Sequence, residues 1–248
     1  MPSLDLTRIH GVVFDTDGVV TDTARVHAAA WKQTFDAFLR ARDLPPFDIR
    51  ADYLRYVDGR SRLDGVRTFL ASRGITLPEG GPDDAPGTPT VHGLGRAKDA
   101  LFMEQVSRYG VAAFPSTVAL LRELRRRGSR TAVVSASRHC GAIIASAGLA
   151  HLFDALVDGN DSARLALPGK PDPALFLEAA RRLGLPPGRV AVVEDALAGV
   201  QAGRRGGFGL VVGVDRGGTG LLASAAADIV VRDLDELTVT GRVPVMAR

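Results

Sequence analysis

The stretch IHGVVFDTDGVV, residues 9–20, decides the fold of this chain. It begins as an apolar, β-branched run and ends in two aspartates, Asp15 and Asp17, followed by Gly18. A run without polar alternation predicts a strand that is covered on both faces. Alternate strand residues share a face, so both carboxylates could point into one crevice beyond the end of the strand. Carboxylates in such a place are costly unless a cation compensates them, which favours a metal site.

Similar β-branched runs follow the first one, with helical patterns between them. They cover residues 131–134, 155–157, 190–193, 210–214 and 229–231. Strands that alternate with helices predict an α/β fold with a parallel, doubly wound, Rossmann-like sheet. Ligands of such sheets bind at the carboxyl ends of the strands, so the residues after each run are candidates for function.

A helical segment at residues 23–107 interrupts this alternation, because no convincing strand lies between the first run and the second. Helical patterns cover 24–42, 63–73 and 98–108. We expect an inserted α-helical cap domain at 23–107, and a catalytic core formed by 1–22 and 108–248. Residues 79–89 have the composition of a loop. A plain surface insertion and a role in substrate specificity are equally open for it.

Two strand ends carry residues suited to binding phosphate. Ser135 ends the second run just before a helical pattern, where a hydroxyl and free N–H groups bind phosphate well, although serine caps are also common. Lys170 lies in the proline-bounded loop GKPDP, residues 169–173, and is one of 3 lysines in a chain with 28 arginines. That usage favours a need for a compact ammonium group at this position, against the simpler interpretation of a surface lysine.

A second acidic pair, Glu194 and Asp195, follows the run 190–193. Together with Asp15 and Asp17 it would form a hard, oxygen-rich site of the kind that suits Mg²⁺. Four acids at two strand ends are a more specific signal than either pair alone. Solvated loop acids are the alternative.

These residues together resemble the haloacid dehalogenase-like superfamily of phosphotransferases. The resemblance covers nearly the whole chain, with the motifs Asp-x-Asp-Gly-Val at 15–19, Ser135, Lys170 and Glu-Asp at 194–195 in the family's order and spacing. The segment VEDALAGVQAG, residues 193–203, is especially similar. The resemblance implies a Rossmann-like core with a helical cap inserted after its first strand.

The resemblance also implies a role for each core motif. Asp15 would attack phosphorus and form an aspartyl phosphate, with Asp17 as general acid and base. Lys170 and Ser135 would hold the phosphoryl oxygens. The implied cofactor is Mg²⁺, and its implied ligands are Asp15, the Asp17 carbonyl, Glu194 and Asp195.

Within the superfamily the chain is most similar to the β-phosphoglucomutase family. That similarity implies substrate-binding residues in the cap and in the loop after Ser135. They are His27, Trp31, Gly59, Arg62, Lys98, Ala136, Ser137 and Arg138. Without the resemblance, His27 and Trp31 would be interpreted as packing residues on one helix face.

Three positions depart from the family pattern. Thr16 stands where an apolar residue is usual, and His139 stands where asparagine is expected. The cap run 96–99 reads RAKD in place of the more usual NRKN. These departures bear on the substrate more than on the chemistry.

Three functions remain open at this point. The first is a phosphomutase that interconverts β-glucose 1-phosphate and glucose 6-phosphate through a sugar bisphosphate. The second is a Mg²⁺-dependent sugar-phosphate phosphatase with the same core, and the third is a non-catalytic metabolite-binding protein. The strand-end motifs do not separate the first two, and the cap residues favour the mutase. A dehalogenase is disfavoured because it does not need the second acidic pair.

Composition excludes several other classes. The single cysteine, Cys140, can form no internal disulfide, and no cysteine-rich zinc site exists. The arginine run 125–127 ends a helical pattern and lacks interleaved aromatics, which favours a solvated helix end over a nucleic-acid patch. No signal segment, membrane span or Gly-x-Gly-x-x-Gly motif is visible. We expect a cytoplasmic monomer that acts on a small phosphorylated sugar, without nucleic-acid or membrane partners.

Overall fold

The structure is a computed structural model, which describes residues 2–224 and 226–244. Within it the chain forms two compact units. One contains the described residues up to Asp22 together with those from Ala112 onward, and the other is Thr23–Val111.

The first unit is built on a six-stranded parallel sheet, which confirms the predicted Rossmann-like α/β class. Its strands are β2 (Gly11–Asp15), β3 (Arg130–Val134), β4 (Ala155–Val157), β5 (Val190–Glu194), β6 (Leu210–Val214) and β7 (Ile229–Val231). The order across the sheet is β4-β3-β2-β5-β6-β7. Strand β2 is central, since Phe14 lies opposite Val133 on one side and Val193 on the other. The chain therefore reverses its direction of winding at β2, where a doubly wound sheet opens its ligand crevice.

Helices cover both faces of this sheet. They are α4 (Pro115–Arg126), α5 (Cys140–Ser146), α6 (Gly159–Leu165), α7 (Ala174–Leu183), α8 (Leu197–Arg205) and α9 (Leu221–Ser224). Val12 and Phe14 belong to one buried apolar cluster, and Val13 between them belongs to the cluster on the opposite face. Coverage of both faces explains why the strand sequences are continuously apolar.

Two features of this unit lie outside the predicted elements. Strands β1 (Ser3–Asp5) and β8 (Thr238–Thr240) form a separate two-stranded parallel sheet. Each is only three residues long, which is too short for an alternation to be recognised.

Helix α6 begins with a capping box, in which Asp158 and Asp161 each accept a hydrogen bond from the other's main chain.

The second unit is helical. It contains α1 (Ala24–Arg40), a π-helical turn (Tyr53–Val57), α2 (Arg62–Ser72) and α3 (Val91–Tyr109). Its core is aromatic. The Phe35 ring stacks on the Trp31 ring with 5.0 Å between the ring centres, and it is tilted against the Phe69 ring with 4.1 Å between the ring centres.

Helix α3 begins seven residues before the predicted start at 98. Thr90 caps it by accepting a hydrogen bond from the Gly93 main-chain N–H. Gly93 and Gly95 obscured this first turn in the sequence, because glycine disfavours a helix interior. Gly93 has no room for a side chain, since an added Cβ would lie 2.4 Å from the Thr88 carbonyl oxygen.

Residues 79–89, predicted as a loop, contain no helix or strand. The loop is fastened at its start, where the Arg67 guanidinium pairs with Glu79, and in its middle, where Arg96 donates to the Pro82 carbonyl oxygen at 2.6 Å. Among the described helices of both units, none is long and apolar enough to cross a membrane.

Candidate active site

Three neighbouring strand ends of the first unit supply the candidate site. Asp15 is the last residue of β2 and pairs in register with Val134 of β3, so Ser135 follows beside it. Glu194 is the last residue of β5, on the other side of β2. All three side chains are buried. The structure thus brings together the residues that the sequence placed at separate strand ends.

Lys170 joins two of these strand ends. Its ammonium group donates hydrogen bonds to Asp15 Oδ1 and, at 2.5 Å, to Glu194 Oε1. Its side chain is only 1% exposed, and the Nζ atom lies 4.9 Å from the centre of the Phe176 ring. The alternative of a surface lysine is therefore wrong. A buried ammonium between two carboxylates is held with one fixed direction toward the crevice.

The other atoms of these carboxylates are also held. Asp15 Oδ2 accepts a hydrogen bond from the Asp17 main-chain N–H at 2.9 Å. Glu194 Oε2 accepts one from the Ala196 N–H at 2.8 Å. Each carboxylate is therefore oriented by a cation on one oxygen and by the main chain on the other, which fixes the plane of both groups before a substrate arrives.

The cluster has more negative than positive charge. Burial raises the pKa of the Asp15 carboxyl well above its usual range; Lys170 opposes this rise, and the carboxylates of Glu194 and Asp17 add to it. Burial alone would lower the pKa of the Lys170 ammonium. The carboxylates of Asp15 and Glu194 outweigh it and hold that pKa above its ordinary value. Burial is thus the main cause of the rise at Asp15, whereas neighbouring carboxylates cause the rise at Lys170.

This excess is the observation that tests whether a divalent cation fits. Asp15, Glu194 and Asp195 each offer a carboxylate oxygen, and the three atoms lie within 4.8 Å of one another. Hard oxygen donors with net negative charge are what Mg²⁺ requires. The Glu194 oxygens already accept hydrogen bonds, and a carboxylate has further lone pairs for a metal. The residues present therefore fit a divalent cation.

Two glycines leave the space that these acids occupy. An ideal Cβ on Gly18, whose φ is +81°, would lie 1.7 Å from Asp195 Oδ2. A Cβ on Gly199 in α8 would lie 1.7 Å from Glu194 Oε1 and 1.9 Å from its carboxyl carbon. Neither glycine was predicted from the sequence to make room for a carboxylate. A glycine inside a helix that follows an acidic pair was the available signal.

The unusual residue Thr16 is accommodated without an unsatisfied hydroxyl. Its Oγ1 donates to the Val134 carbonyl oxygen at 3.0 Å and lies 3.2 Å from the Cys140 sulfur. Burial raises the pKa of the Cys140 thiol, which keeps it neutral next to the acidic cluster. Thr16 thus takes an apolar position and adds a link between β2 and β3.

The loop after β3 is closed by its own serines. Ser135 Oγ accepts from the Ser137 N–H at 3.0 Å and lies 3.4 Å from Asp17 Oδ2. Ser137 Oγ accepts from the His139 N–H at 3.2 Å. Helix α5 begins at Cys140, and these two amide groups before it donate to serine hydroxyls.

The remaining residues predicted in this loop lie against the start of α6. The Arg138 carbonyl oxygen accepts from Asn160 Nδ2 at 2.9 Å. A Cβ on Gly159 would lie 2.7 Å from the Ala136 carbonyl oxygen. This close approach of main chain to main chain fixes the shape of the loop.

In the helical unit, two of the predicted substrate residues are in contact. Lys98 Nζ lies 2.5 Å from His27 Nδ1, and it sits 4.7 Å from the Phe102 ring centre and 5.4 Å from that of Trp31. Lys98 is buried, which is rare for a lysine. Trp31 is buried too and stacks on Phe35, so its packing interpretation is correct for most of its surface.

The other two predicted cap residues flank the start of α2. Gly59 has a φ of +70°, which a residue with a side chain adopts only with strain. Arg62 opens α2, and its guanidinium pairs with Asp99 of α3. The departure Asp99 therefore has a partner, and the pair offsets part of the positive charge at Arg62.

The arginine run at the end of α4 is neutralised within the unit. Arg126 and Arg127 both pair with Glu123, and Arg125 pairs with Asp154 at 2.9 Å. These pairs match the prediction of a solvated helix end.

Two curated β-phosphoglucomutases align with nearly all of this chain, and a phosphatase aligns with half of it. The β-phosphoglucomutase of Mycobacterium bovis is 43% identical over 242 residues, which cover 93% of this chain and 92% of that protein. The β-phosphoglucomutase of Bacillus subtilis is 32% identical over 227 residues, covering 92% and 91%. A trehalose-phosphate phosphatase of Mycobacterium leprae is 40% identical over 129 residues, covering 50% of this chain and 28% of that protein.

Solved structures share the fold. A hydrolase from Pseudomonas syringae has a TM-score of 0.73 at 25% identity, over 91% of this chain and 94% of that chain. A β-phosphoglucomutase from Clostridium difficile has a TM-score of 0.70 at 22% identity, over 92% of each chain. A family model described as haloacid dehalogenase-like hydrolase matches residues 9–207. With most of its length matched, and with Asp15 and Glu194 bonded to Lys170, the chain belongs to the haloacid dehalogenase-like hydrolase family.

Proposed function

We propose that this protein is a β-phosphoglucomutase, which interconverts β-glucose 1-phosphate and glucose 6-phosphate. The observation that supports it is the buried lysine between Asp15 and Glu194, beside a main-chain contact from Asp17. That geometry presents one carboxylate, already oriented, to an incoming phosphoryl group. The relatives from Mycobacterium bovis and Bacillus subtilis have this name, and this chain aligns with almost their whole length.

Asp15 is the proposed nucleophile. One of its carboxylate oxygens forms a bond to phosphorus while the bond from phosphorus to the sugar oxygen breaks, which leaves an aspartyl phosphate. Lys170 and Ser135 then hold the phosphoryl oxygens. A carboxylate and a phosphate dianion about 4 Å apart repel by roughly 8 kcal/mol at an effective dielectric near 20. Mg²⁺, held by Asp15, the Asp17 carbonyl, Glu194 and Asp195, would supply the additional positive charge that this approach requires.

Asp17 is the proposed general acid and base. Its carboxyl gives a proton to the departing sugar oxygen and later takes one from the hydroxyl that accepts the phosphoryl group. Asp17 Oδ2 lies within 3.4 Å of Ser135 Oγ, at the edge of the cluster and not at its buried centre. The partly exposed position suits a group that must reach a substrate hydroxyl.

A sugar-phosphate phosphatase is the second candidate, because the same core transfers the phosphoryl group to water. The partial match to a trehalose-phosphate phosphatase supports it. Phosphorus NMR distinguishes the two functions. β-Glucose 1-phosphate with Mg²⁺ and a trace of the glucose bisphosphate should give glucose 6-phosphate; accumulation of inorganic phosphate instead would assign the phosphatase.

Two variants control this assay. Asp15→Asn should abolish turnover with the fold intact, and substantial remaining activity would remove the aspartyl-phosphate mechanism. Asp235→Asn, which changes an exposed carboxylate of the same unit, should leave turnover unchanged.

The proposed cap contacts are tested by comparing two phosphoryl donors. Arg62→Ala or Lys98→Ala should impair the reaction of the sugar phosphate more than the hydrolysis of acetyl phosphate, which has no sugar to be bound. Equal losses with both donors would show that these residues do not contact the sugar.

We also propose a cytoplasmic monomer, which fits the buried free thiol of Cys140; size-exclusion chromatography tests the monomer.

A further inference from the structure

Arg216 is a nearly buried arginine for which the proposed chemistry has no role. It follows β6, and its side chain is 24% exposed. Its guanidinium carbon lies over the Phe114 ring, 3.6 Å from the ring centre, and its Nη1 donates to the Gly18 carbonyl oxygen. Its Nε is 3.5 Å from Asp233 Oδ2.

Apart from the long contact with Asp233, this guanidinium makes no ion pair among the described residues. Within residues 2–224 and 226–244, its buried Nε and Nη2 have no hydrogen-bond partner. Other arginines of the same unit, such as Arg204 with Asp228, form close ion pairs at the surface. Buried donor atoms without partners are costly unless other contacts of the group compensate them. The close hydrogen bond from Arg216 Nη1 to the Gly18 carbonyl oxygen is such a contact.

That oxygen belongs to the turn directly after the acidic motif. Three consecutive carbonyl oxygens of the turn, those of residues 18–20, each accept a hydrogen bond from outside it. The donors are Arg216 Nη1, Thr117 Oγ1 at 2.6 Å and the Phe114 main-chain N–H at 3.0 Å. Two of these donors, Arg216 and Phe114, also pack against each other. They therefore hold the turn together.

The turn is also where the two acidic pairs come closest. Gly18 packs directly on the Asp195 carboxylate, which leaves no room for a Cβ. Asp17, the residue before Gly18, donates its N–H to Asp15. A shift of the Gly18 peptide would therefore move Asp17 and relax the contact with Asp195.

We propose that Arg216 is a positioning residue of the phosphoryl-transfer site. It fixes the Gly18 peptide, and through it the placement of Asp17 relative to Asp15 and Asp195. This inference rests on the proposed function, because it takes Asp15 and Asp17 as the reacting groups. Only a planar guanidinium can stack on Phe114 and donate to the carbonyl at once, so lysine should replace it poorly.

The test uses hydrolysis of acetyl phosphate by the full chain with Mg²⁺, which depends on the core site and not on the choice of sugar. Arg216→Gln and Arg216→Lys are compared with Arg204→Gln, a control at a surface ion pair of the same unit. Urea unfolding and circular dichroism establish that each variant is folded at the assay temperature.

Arg216→Gln should lower kcat by about 10-fold to 100-fold, the loss expected from a misplacement near 1 Å, with KM changed less than about 3-fold. Arg216→Lys should fall between it and the wild type, and Arg204→Gln should match the wild type. A folded Arg216→Gln with kcat within about 2-fold of wild type, or with its loss confined to KM, would overturn the proposal.

If Arg216→Gln does not fold, Arg216→Lys decides by the same criterion, and failure of both to fold would assign Arg216 to the fold and overturn the positioning role. Failure of the proposed function gives a different result: the wild type would lack the acetyl phosphate reaction, or Asp15→Asn would keep it.

Discussion

Replacement of Lys170 by methionine should be among the most destabilising single changes at the site. The substitution keeps an unbranched side chain that is one atom shorter, and it removes the ammonium group between Asp15 and Glu194. Each ion-pair contact, at a separation near the 2.5 Å of Lys170 and Glu194, gives about 7 kcal/mol of attraction at an effective dielectric of about 20. Desolvation of the three charged groups offsets most of that sum. The net cost of removing one member of a buried ion pair is about 3–5 kcal/mol.

The assay is urea unfolding in EDTA, so that a divalent cation does not replace the lost charge. Lys32→Met is the matched control, since Lys32 also pairs with a carboxylate, Asp36 at 2.8 Å, but is 43% exposed. The control should cost less than about 1 kcal/mol, because solvent screens an exposed pair.

A double-mutant cycle identifies the cause. Lys170→Met combined with Glu194→Gln should be less destabilised than the two single changes together, by about 1–3 kcal/mol, because the double variant removes one unpaired carboxylate. A loss from Lys170→Met no larger than that from Lys32→Met, or a coupling near zero, would refute the view that charge compensation holds this cluster together.

Three further outcomes follow from the geometry. Gly199→Ala should displace the Glu194 carboxylate and raise the Mg²⁺ concentration needed for half-maximal rate by at least about 10-fold. An unchanged Mg²⁺ dependence would contradict the role of Gly199 in leaving room for this carboxylate. Asp17→Asn should slow the formation of the aspartyl phosphate far more from a sugar phosphate than from acetyl phosphate, whose leaving group needs no proton; equal slowing of this single step would contradict the acid role. Hydrogen bonds from Arg182 lower the pKa of Asp161 to about 2. The folded-state pKa lies below the unfolded value of about 3.9, so this stabilisation is complete above about pH 4 and is lost as the pH falls toward 2. In Asp161→Asn the urea midpoint of unfolding should therefore decrease less as the pH falls from about 4 toward 2. A decrease equal to that of the wild type would contradict this assignment.

The core sheet was predictable because burial on both faces leaves a strong mark on sequence. Runs such as 190–193 contain only apolar residues, and such continuously apolar runs are typical of the strands of a parallel sheet. The candidate site was predictable for a related reason. Carboxylates such as Asp15 and Glu194 are conspicuous directly after a buried strand, and the topology of a doubly wound sheet dictates that such ends meet.

The remaining features depend on contacts between distant residues that leave no periodic mark. Strand β1 is three residues long and exists because it pairs with β8 at the other end of the chain. Arg216 is one of 28 arginines in the sequence, and only the folded structure shows that it binds the Gly18 carbonyl oxygen. Gly199 resembles any other helical glycine until the position of Glu194 is known.

The arrangement around Lys170 also explains why the site needs a second buried carboxylate. In the proposed mechanism, phosphorylation of Asp15 consumes its carboxylate, and the charge moves outward onto the phosphoryl oxygens. An ammonium held by Asp15 alone would lose its partner at that moment. Glu194 does not take part in the bond changes, and its second oxygen is fixed by the Ala196 N–H. It can therefore hold Lys170 in place in both states, so that one cation serves first the carboxylate nucleophile and then the phosphoryl group that replaces it.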